Sequence, residues 1–457
     1  MGSALFDKVL VANRGEIAVR IIGTLRRLGI GSVVVCSEAD ADSLHVELAD
    51  EAVLIGPAPV SDSYLRIDKV IDAAVRTGAQ AIHPGYGLLA ENADFATACA
   101  DAGLVFIGPP AEAISAMGSK VQARRIMSAA GVPVVPGSLD NASDLDRARQ
   151  TADEIGYPVA VKAAGGGGGK GFRVAHHPQD LASALEGASA EGQRFFGDPS
   201  VYLERYLHNP RHVEVQVLAD QHGNTVHLFE RDCSVQRRHQ KLIEEAPAPS
   251  IPDELREHIG AIAVTAAQSV GYTSAGTVEG LLHDGQFFFL EMNTRIQVEH
   301  TVTEMVTDLD LVEQQLRIAA GEPLPFTQAD LTIHGHAIEC RINAEDATRN
   351  FLPSPGRITA YTEPQGPGIR IDSGVTTGAM VHPHYDPMIA KLVAWGETRE
   401  EATERMLTAL DGFTVAGVRT LIPFHRALLS SSQWSKGETC ADLVTDRSWL
   451  KTTGGDG

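Results

Sequence analysis

The chain has 457 residues, and its 43% hydrophobic and 21% charged content is typical of a globular protein with a large core. This length predicts about three packed units rather than one domain. The formal net charge of −21 argues against a basic surface, so we expect neither nucleic acid nor a membrane as a partner. Five scattered cysteines without a CxxC pair, and no apolar stretch of signal-peptide or transmembrane length, favour reduced thiols and a cytoplasmic location.

Short apolar runs alternate with helical spacing over residues 1–107, which predicts an N-terminal βαβ domain built on a parallel sheet. The first turn, VANRGE at residues 11–16, has one glycine where a dinucleotide needs a glycine-rich turn, so we exclude NAD. The loop HPGYG at residues 83–87 follows a predicted strand, where ligands bind in such folds. A structural turn explains its glycines equally well, but we expect Tyr86 to be exposed and available to a ligand.

Residues 108–134 predict a linker with one helix, which carries Lys120. Residues 135–207 predict a lid subdomain, in which two strands flank the loop AAGGGGGKG at residues 163–171. Five consecutive glycines are costly to order, and their use is to bring backbone N–H groups close to phosphate oxygens. The loop is not a P-loop, because no Ser or Thr follows its lysine and strands lie on both sides. It is typical of a flap over a nucleotide, and Lys162 can reach an anion unless it simply faces solvent.

Residues 208–335 predict a core unit that follows a hinge. The strand at residues 212–220 alternates polar and apolar residues and directs His212, Glu214 and Gln216 to one face. A basic cluster follows, which in so acidic a chain favours an anionic ligand over a solvated patch. Its members are Gln236, Arg237, Arg238, His239 and Lys241. No pair of His or Cys residues has the spacing of a zinc site.

The run EMNTRIQVEH at residues 291–300 carries a polar residue at every second position. These residues are Glu291, Asn293, Arg295, Gln297 and Glu299. One strand face would hold all five, which suits Mg²⁺, an anion and a carboxylate base, although a solvated strand face is the simpler alternative. A straight strand would separate Glu291 from Glu299 by about 26 Å, so a shared site requires a bend near Arg295. Glu279 on the preceding strand faces Glu291 across a hairpin, close enough to share a cation with it.

A helix is predicted over residues 302–319, and residues 336–448 predict a C-terminal mixed α+β domain. The predicted strands of this domain cover residues 336–341, 369–373 and 388–395, and a helix covers residues 398–410. The interpretation of Arg341 stays open between a site residue and a salt bridge with the nearby Glu345. Residues 449–457 predict a flexible tail.

In this order the motifs resemble those of biotin carboxylase, an ATP-grasp enzyme family. The resemblance rests on VANRGEIAVR, HPGYG, GGGGGKG, ERDCSVQRRHQK, EMNTRIQVEH and ECRINAED, and it covers nearly the whole chain. It implies an α/β and α+β multidomain fold, with an N-terminal parallel-sheet domain, an ATP-grasp domain with a mobile glycine-rich lid, and a C-terminal mixed domain. It also implies ATP-dependent carboxylation of biotin on a carrier protein, with bicarbonate and via carboxyphosphate. This is the first half-reaction of a biotin-dependent carboxylase, such as the acetyl-CoA carboxylase of fatty acid biosynthesis or propionyl-CoA carboxylase.

The resemblance assigns roles to the matching residues. ATP would contact Lys120, Lys162, Gly165, Gly166, Gly167, Gly168, Gly169, Glu204, Leu207, His212, Gln236, His239, Leu281 and Leu290. Two Mg²⁺ ions, with Mn²⁺ as an alternative, would be held by Glu279, Glu291 and Asn293. Bicarbonate would be held by Lys241, Arg295, Gln297 and the backbone of Val298. Besides Lys241 and Arg295, the catalytic residues would be Glu299 as the base and Arg341 as the group that stabilises the enolate of biotin, with Tyr86 close by.

None of the eight methionines is followed by lysine, whereas biotin is normally attached to a lysine flanked by methionines. We therefore expect biotin on a biotin carboxyl-carrier protein or domain in trans, and carboxyl transfer on a carboxyltransferase subunit. The family alone suggests a homodimer. Leu88, Ala90 and Ser119 depart from the residues expected at their positions, and the first two bear on the fit of biotin. The alternatives are another ATP-grasp ligase that activates a different carboxylate, and a catalytically silent subunit that binds nucleotide.

Overall fold

The computed structural model describes residues 5–165 and 170–445, so the predicted tail at residues 449–457 lies outside the described residues. The strands of the first domain are β1 (Lys8–Val11), β2 (Gly31–Ser37), β3 (Glu51–Gly56), β4 (Ala81–His83) and β5 (Val105–Phe106). Its helices are α1 (Gly15–Arg27), α2 (Leu44–Leu48), α3 (Ile67–Thr77) and α4 (Ala93–Asp101). The strands form one parallel sheet in the order β3-β2-β1-β4-β5, which confirms the predicted βαβ domain.

The linker contains two helices, α5 (Ala111–Gly118) and α6 (Lys120–Ala129), so the prediction of a single helix was wrong. Ser119 separates them because its backbone is extended, and its hydroxyl accepts a hydrogen bond from the Gln122 N–H at the start of α6. The apolar spacing continues across this residue, so periodicity alone does not reveal the break. Lys120 consequently stands on the first turn of α6.

The lid subdomain comprises α7 (Leu145–Ile155), β6 (Val159–Ala163), β7 (Phe172–Ala175), α8 (Leu181–Phe196) and β8 (Val201–Arg205). Its three strands form an antiparallel sheet in the order β7-β6-β8, and its side chains pack into a hydrophobic cluster of their own. The glycine-rich loop joins β6 to β7, as predicted. Gly166–Gly169 lie outside the described residues.

The remaining elements build the core unit, which follows the lid, and the C-terminal domain. The core elements are β9 (Arg211–Ala219), β10 (Thr225–Arg237), β11 (Gln240–Ala246), α9 (Asp253–Ser269), β12 (Ser274–His283), β13 (Gln286–Asn293), α10 (His300–Thr307) and α11 (Leu311–Ala319). The C-terminal strands are β14 (His336–Asn343), β15 (Glu345–Asp346), β16 (Leu352–Pro353), β17 (Gly356–Arg357), β18 (Ala360–Thr362), β19 (Ile369–Ser373), β20 (Met380–Val381), β21 (Met388–Gly396) and β22 (Thr414–Ala416). The C-terminal helices are α12 (Arg399–Gly412), α13 (Ile422–Leu429), α14 (Ser432–Ser435) and α15 (Ala441–Thr445).

One eight-stranded sheet runs through both of these regions, in the order β13-β12-β9-β10-β11-β14-β21-β19. The two regions meet where β11 pairs with β14, with Glu244 directly opposite Glu339. The carboxylate pair predicted at one end of the sheet and Arg341 on β14 are therefore fixed on the same surface. The predicted strands of the C-terminal domain correspond to β14, β19 and β21, and its helix to α12.

The predicted helix over residues 302–319 is two helices, α10 and α11. Asp308 ends α10 in a left-handed conformation, with φ of 57°, and the Asp310 side chain caps α11 by accepting from the Glu313 N–H. The prediction missed this break because the apolar spacing resumes in phase after it. Among the described residues, no helix is long and apolar enough to cross a bilayer.

The bend required near Arg295 is confirmed, because β13 ends at Asn293 and residues 294–299 form a loop. Ile296 anchors this loop, since its side chain is fully buried in a cluster that includes Ile17 and Ile21 of α1. Burial of a side chain of this size against α1 contributes roughly 1.5–3 kcal/mol. The loop is thus packed against the N-terminal domain rather than exposed to solvent.

Candidate functional site

A cavity of about 760 Å³ opens between the lid sheet and the eight-stranded sheet. Eighteen of the residues implied by the family resemblance line it: Lys120, Lys162, Glu204, Leu207, His212, Gln236, His239, Lys241, Glu279, Leu281, Leu290, Glu291, Asn293, Arg295, Gln297, Val298, Glu299 and Arg341. Gly165 and Tyr86 lie outside this lining, and Gly166–Gly169 lie outside the described residues. Arg237 and Arg238 of the basic cluster do not line the cavity either.

The hairpin of β12 and β13 provides two carboxylates at one end of the cavity. Glu279 and Glu291 are direct cross-strand partners, as predicted, and Asn293 lies two residues after Glu291 on β13. The Glu279 Oε1 accepts from the Asn293 amide at 2.8 Å, while Lys120 Nζ stands 2.8 Å from a carboxylate oxygen of Glu291. Carboxylate and amide oxygens in this arrangement are the ligands that Mg²⁺ prefers, so these residues fit a magnesium site.

His212 on β9 stands next to this carboxylate pair. Its Nε2 lies 2.9 Å from the second oxygen of Glu279. Burial alone would lower the pKa of His212, but the negative charge of Glu279 raises it above the ordinary value. The carboxylate of Glu279 thus favours the protonated form of His212, whose ring lines the cavity.

Lys241 on β11 is the centre of the site. Its Nζ donates to Glu214 at 2.5 Å, to Glu299 at 2.5 Å and to Glu279 at 2.9 Å. Burial lowers the pKa of this ammonium, but the three carboxylates raise it well above its ordinary value. The Gln297 side chain also accepts from Lys241 at 3.2 Å, so one cation holds residues from three segments together.

Glu299 lies between two cations. Its Oε1 accepts from Lys241, and its Oε2 accepts from the Arg341 Nη2 at 2.9 Å. Burial would raise the pKa of Glu299, but Lys241, Arg341 and the nearby Arg231 lower it far below the ordinary value. Glu299 is consequently ionised in the ligand-free protein at any working pH.

Arg341 takes part in the site, and the alternative of a salt bridge with Glu345 was wrong. Its Nε donates to Glu244 at 2.6 Å, and its Nη2 donates to Glu299. Glu345 points elsewhere and accepts from Asn343. Glu244 lies directly opposite Glu339, two residues before Arg341 on β14, so alternation places Arg341 on the same face of the sheet as Glu244.

Arg295 is held by a residue that sequence reasoning gave no role. Its Nε donates to Glu91 at 2.8 Å, and its Nη2 donates to the Asn293 side chain at 3.0 Å. Glu91 also accepts from the Thr294 N–H at 2.9 Å, so it fixes both the guanidinium and the start of the loop. The signal available in the sequence was an acidic residue a few positions after the HPGYG motif.

Arg231 on β10 is a further charged residue that sequence reasoning missed. It is completely buried and donates to Glu214 at 2.7 Å, so it balances the carboxylate that faces Lys241. The remaining donors of Arg231 reach Gln216, Thr277 and Thr303. The signal for Arg231 was a charged triplet, residues 230–232, directly after the apolar pair Leu228 and Phe229.

Lys162 on β6 and Glu204 on β8 line the side of the cavity formed by the lid sheet. The buried Glu204 carboxylate pairs with Lys162 and with Arg124 of α6, the latter at 3.2 Å. The Glu204 side chain is therefore already paired within the protein. Lys162 lies in the cavity wall, which removes the alternative that it simply faces solvent.

Tyr86 is half-buried, so the expectation of an exposed side chain was wrong. Its hydroxyl donates to Glu16 of α1. The reason is the fold of its loop, because the Asn13 side-chain amide donates to the carbonyls of Pro84 and Tyr86 at 2.7 Å each. These bonds draw the HPGYG loop onto the start of α1.

Beneath Arg341, two buried carboxylates face each other across β11 and β14. Glu244 and Glu339 are direct cross-strand neighbours, and Thr301 donates to Glu339. Burial raises the pKa of Glu339 well above its ordinary value and that of Glu244 to about 7. Like charges directly opposite each other are unfavourable, so this pair retains a proton near neutral pH.

A lid over a cavity with paired carboxylates on an antiparallel sheet defines an ATP-grasp ligase. Three models of known protein families match consecutive stretches of the chain. The family model described as carbamoyl-phosphate synthase L chain, ATP binding domain, matches residues 119–327. The models described as biotin carboxylase, N-terminal domain, and biotin carboxylase C-terminal domain match residues 5–114 and 339–446. The chain belongs to the biotin carboxylase family.

Relatives of known name and structure cover nearly the whole chain. "Biotin carboxylase 2" of Bacillus subtilis is 54% identical over 441 residues, 96% of this chain and 99% of that protein. A pyruvate carboxylase subunit of Methanothermobacter thermautotrophicus is 52% identical over 442 residues, 97% of this chain and 90% of that protein. The biotin carboxylase domain of the Hydrogenobacter thermophilus 2-oxoglutarate carboxylase, a dimer in complex with MgADP, ADP and bicarbonate, superposes with a TM-score of 0.92 at 46% identity and covers 96% of this chain and 99% of that one. The activity is therefore that of the biotin carboxylase of a biotin-dependent carboxylase.

The raised pKa of Glu244 predicts how stability depends on pH. Because the folded protein keeps the proton of Glu244 up to about pH 7 while a free glutamate loses it near 4.5, this residue's contribution to stability falls as the pH rises between these values. Glu244→Gln cannot titrate. Its melting temperature, measured relative to that of the wild type, should therefore move upward as the pH is raised across this range.

Glu245→Gln is the matched control, because Glu245 is buried on the same strand but points to the other face. Burial would raise the pKa of Glu245, yet His336 and Arg399 lower it below the ordinary value. Its contribution is lost only on acidification, so the difference between this variant and the wild type should stay constant over the same range. A constant difference for Glu244→Gln as well would contradict the assignment of the retained proton.

Proposed function

We propose that the chain catalyses the ATP-dependent carboxylation of carrier-bound biotin with bicarbonate, as the first half-reaction of an acyl-CoA carboxylase such as acetyl-CoA or propionyl-CoA carboxylase. The observation that carries the proposal is the position of Glu299 between Lys241 and Arg341. The same cavity also holds the carboxylate pair Glu279 and Glu291. A base, an anion clamp and a metal-binding pair within one cavity are the groups that carboxylation through a phosphorylated intermediate needs.

ATP and magnesium occupy the lid side of the cavity in this mechanism. The phosphates are bound by Lys120, Lys162, His212 and His239, with Gln236 and Gly165–Gly169 around them. Adenine lies between Leu281 and Leu290 and contacts the backbone from Glu204 to Leu207. Two Mg²⁺ ions on Glu279, Glu291 and Asn293, with Mn²⁺ as an alternative, would neutralise charge on the phosphates when bound. Lid closure would exclude water, which matters because carboxyphosphate hydrolyses readily.

Bicarbonate is held by Lys241, Arg295, Gln297 and the backbone of Val298. Glu299 accepts its proton, and the freed oxygen attacks the γ-phosphorus of ATP. The bond from that phosphorus to the bridging oxygen breaks, which releases ADP and leaves carboxyphosphate. Lys241 and Arg295 stabilise the anionic groups throughout this step.

Biotin enters from the opposite side, next to Arg341 and Tyr86. The bond between the carboxyl carbon and the phosphate oxygen of carboxyphosphate breaks and gives CO2 and phosphate. The phosphate takes the proton of the ureido nitrogen of biotin, and that nitrogen bonds to the carbon of CO2, while the Arg341 guanidinium stabilises the negative charge on the ureido oxygen. Biotin is carried by a biotin carboxyl-carrier protein or domain in trans. The relatives are named for different acceptors, pyruvate and 2-oxoglutarate among them, which supports the view that the acceptor is selected by a carboxyltransferase subunit. The dimeric relative from Hydrogenobacter supports a homodimer, and we propose a cytoplasmic location.

Glu299→Gln tests the role of the base. The amide cannot accept the proton of bicarbonate, so biotin-dependent ADP release should fall by about 100-fold or more, while the Kd for ATP stays close to the wild-type value. ADP release is measured in a coupled assay with free biotin and bicarbonate. Glu257→Gln, which removes an exposed carboxylate on α9, is the control for the loss of charge and should leave the rate unchanged. Undiminished turnover in Glu299→Gln would remove Glu299 from the role of base.

Labelled bicarbonate tests the partners. With ATP and a purified biotinylated carrier, label should appear on the carrier and not on this chain. With the carboxyltransferase subunit present, label should move on to acetyl-CoA or propionyl-CoA. Label that stays on this chain would contradict a carrier in trans, and transfer to pyruvate alone would contradict an acyl-CoA acceptor. An ATP-grasp ligase of another type would release ADP with a different carboxylate and without stimulation by biotin.

A further inference from the structure

Lys391 on β21 is a completely buried cation that the mechanism above does not use. A buried ammonium is strongly unfavourable unless charged or polar partners surround it. Its Nζ donates to the Val298 carbonyl at 3.1 Å and stands 3.2 Å from a Glu16 oxygen and 3.5 Å from an Asp372 oxygen. The three partners come from the loop after β13, from α1 and from β19, so Lys391 lies where three parts of the chain meet.

The register of the sheet places Lys391 directly beside the site. Arg341 on β14 and Asp372 on β19 are its cross-strand partners on the two sides. Residues in direct register on neighbouring strands share one face, and their Cβ atoms lie about 4.5–5.5 Å apart. Arg341, Lys391 and Asp372 therefore form a row that leads from the cavity toward β19, the edge strand of the sheet.

The carbonyl that Lys391 binds belongs to the segment that carries the proposed bicarbonate ligands. Gln297, Val298 and Glu299 are outside any strand. The Val298 carbonyl belongs to the peptide that joins Val298 to Glu299. Because a peptide is planar, the orientation of this carbonyl fixes the peptide plane and so restricts the direction of the Glu299 side chain. A donor fixed at that carbonyl restricts the direction of both neighbours.

We infer that Lys391 is a positioning residue that holds the loop of Gln297, Val298 and Glu299 in the geometry required for bicarbonate. This inference rests on the proposed function, which assigns bicarbonate to that loop. Lys391 does not touch the substrate in this arrangement and transfers no proton. Its charge is retained, because Glu16 and Asp372 raise the pKa of Lys391 above its ordinary value although burial would lower it.

The same lysine connects the loop to the proposed biotin side. Glu16 accepts from the Tyr86 hydroxyl while it faces Lys391. A change at Lys391 is thereby transmitted in two directions, to the Val298 carbonyl and to the support of Tyr86. Bicarbonate binding should be more sensitive than biotin binding, because the loop contacts Lys391 directly whereas Tyr86 is linked to it only through Glu16.

Lys391→Met tests the inference by removing the charge and the donor while keeping an apolar side chain of similar length. The KM for bicarbonate should rise about tenfold or more, because small displacements of positioned groups have large effects. The KM for ATP should stay within about twofold, since the ATP contacts lie on other elements. Both constants are taken from ADP release at a temperature where circular dichroism shows the variant folded.

Arg20→Met is the matched control. Arg20 on α1 is largely buried and pairs with Glu304, Asp310 and, at 4.0 Å, Asp372, but it makes no hydrogen bond or ion pair with residues 297–299 of the loop. This variant should lose stability without a change in the KM for bicarbonate. A rise of the same size in Arg20→Met would show that general loosening of the interior explains the effect and would overturn the inference.

A double variant covers the case in which Lys391→Met does not fold. Asp372→Asn removes one of the two carboxylates that face Lys391, and Arg370, which also pairs with Asp372, keeps its bond to Glu304 at 2.7 Å. Burial already raises the pKa of the second carboxylate, Glu16, and favours its neutral form. Lys391→Met with Asp372→Asn should therefore fold better and still show the raised KM for bicarbonate, and Asp372→Asn alone should not. A wild-type KM for bicarbonate in the folded double variant would overturn the role of Lys391. If the wild type itself showed no bicarbonate-dependent ADP release, the proposed function would fail instead.

Discussion

The site depends on one buried ammonium surrounded by carboxylates. Lys241 holds Glu214, Glu279 and Glu299 within hydrogen-bond distance of its Nζ, and all three side chains are buried. Loss of one member of a buried ion pair typically costs roughly 3–5 kcal/mol, because the remaining charge is left without a partner. Arg231 donates to Glu214 and so reduces the excess of negative charge around Lys241. The carboxylates that serve metal and bicarbonate in the proposed mechanism are thus held in place before any ligand binds.

The continuous eight-stranded sheet explains how distant segments of the chain meet at this ammonium. Glu279, Lys241 and Arg341 stand on β12, β11 and β14 of the same sheet. Their separations are set by strand spacing, so they cannot change much without breaking backbone hydrogen bonds. The lid has a separate sheet and a separate hydrophobic cluster. This division allows the lid to close over ATP while the platform below stays rigid.

Local patterns in the sequence were enough to predict the repeating elements and one specific contact. The parallel domain, the strands around the glycine loop and the pairing of Glu279 with Glu291 all follow from alternation and hairpin geometry. The bend near Arg295 was predicted because a straight strand would hold Glu291 and Glu299 too far apart to share one site. The breaks at Ser119 and Asp308 did not, because capping residues interrupt a helix without disturbing its apolar spacing. The partners of the charged residues were beyond sequence reasoning for a different reason. Glu91 and Arg295 are 204 positions apart, and Glu244 and Arg341 are 97 apart, so their contacts depend on the packing of whole domains.

The lowered pKa of Glu299 has a consequence for its role as a base. A carboxylate held by Lys241 and Arg341 is a poor proton acceptor in the ligand-free protein. In the proposed mechanism bicarbonate brings a second negative charge to Lys241, which must then divide its hydrogen bonds between two anions. Each bond lost by Glu299 raises its pKa, and a neighbouring anion raises it further. Substrate binding thus makes Glu299 a stronger base at the moment when the proton has to leave, and without bicarbonate the residue stays ionised and inert.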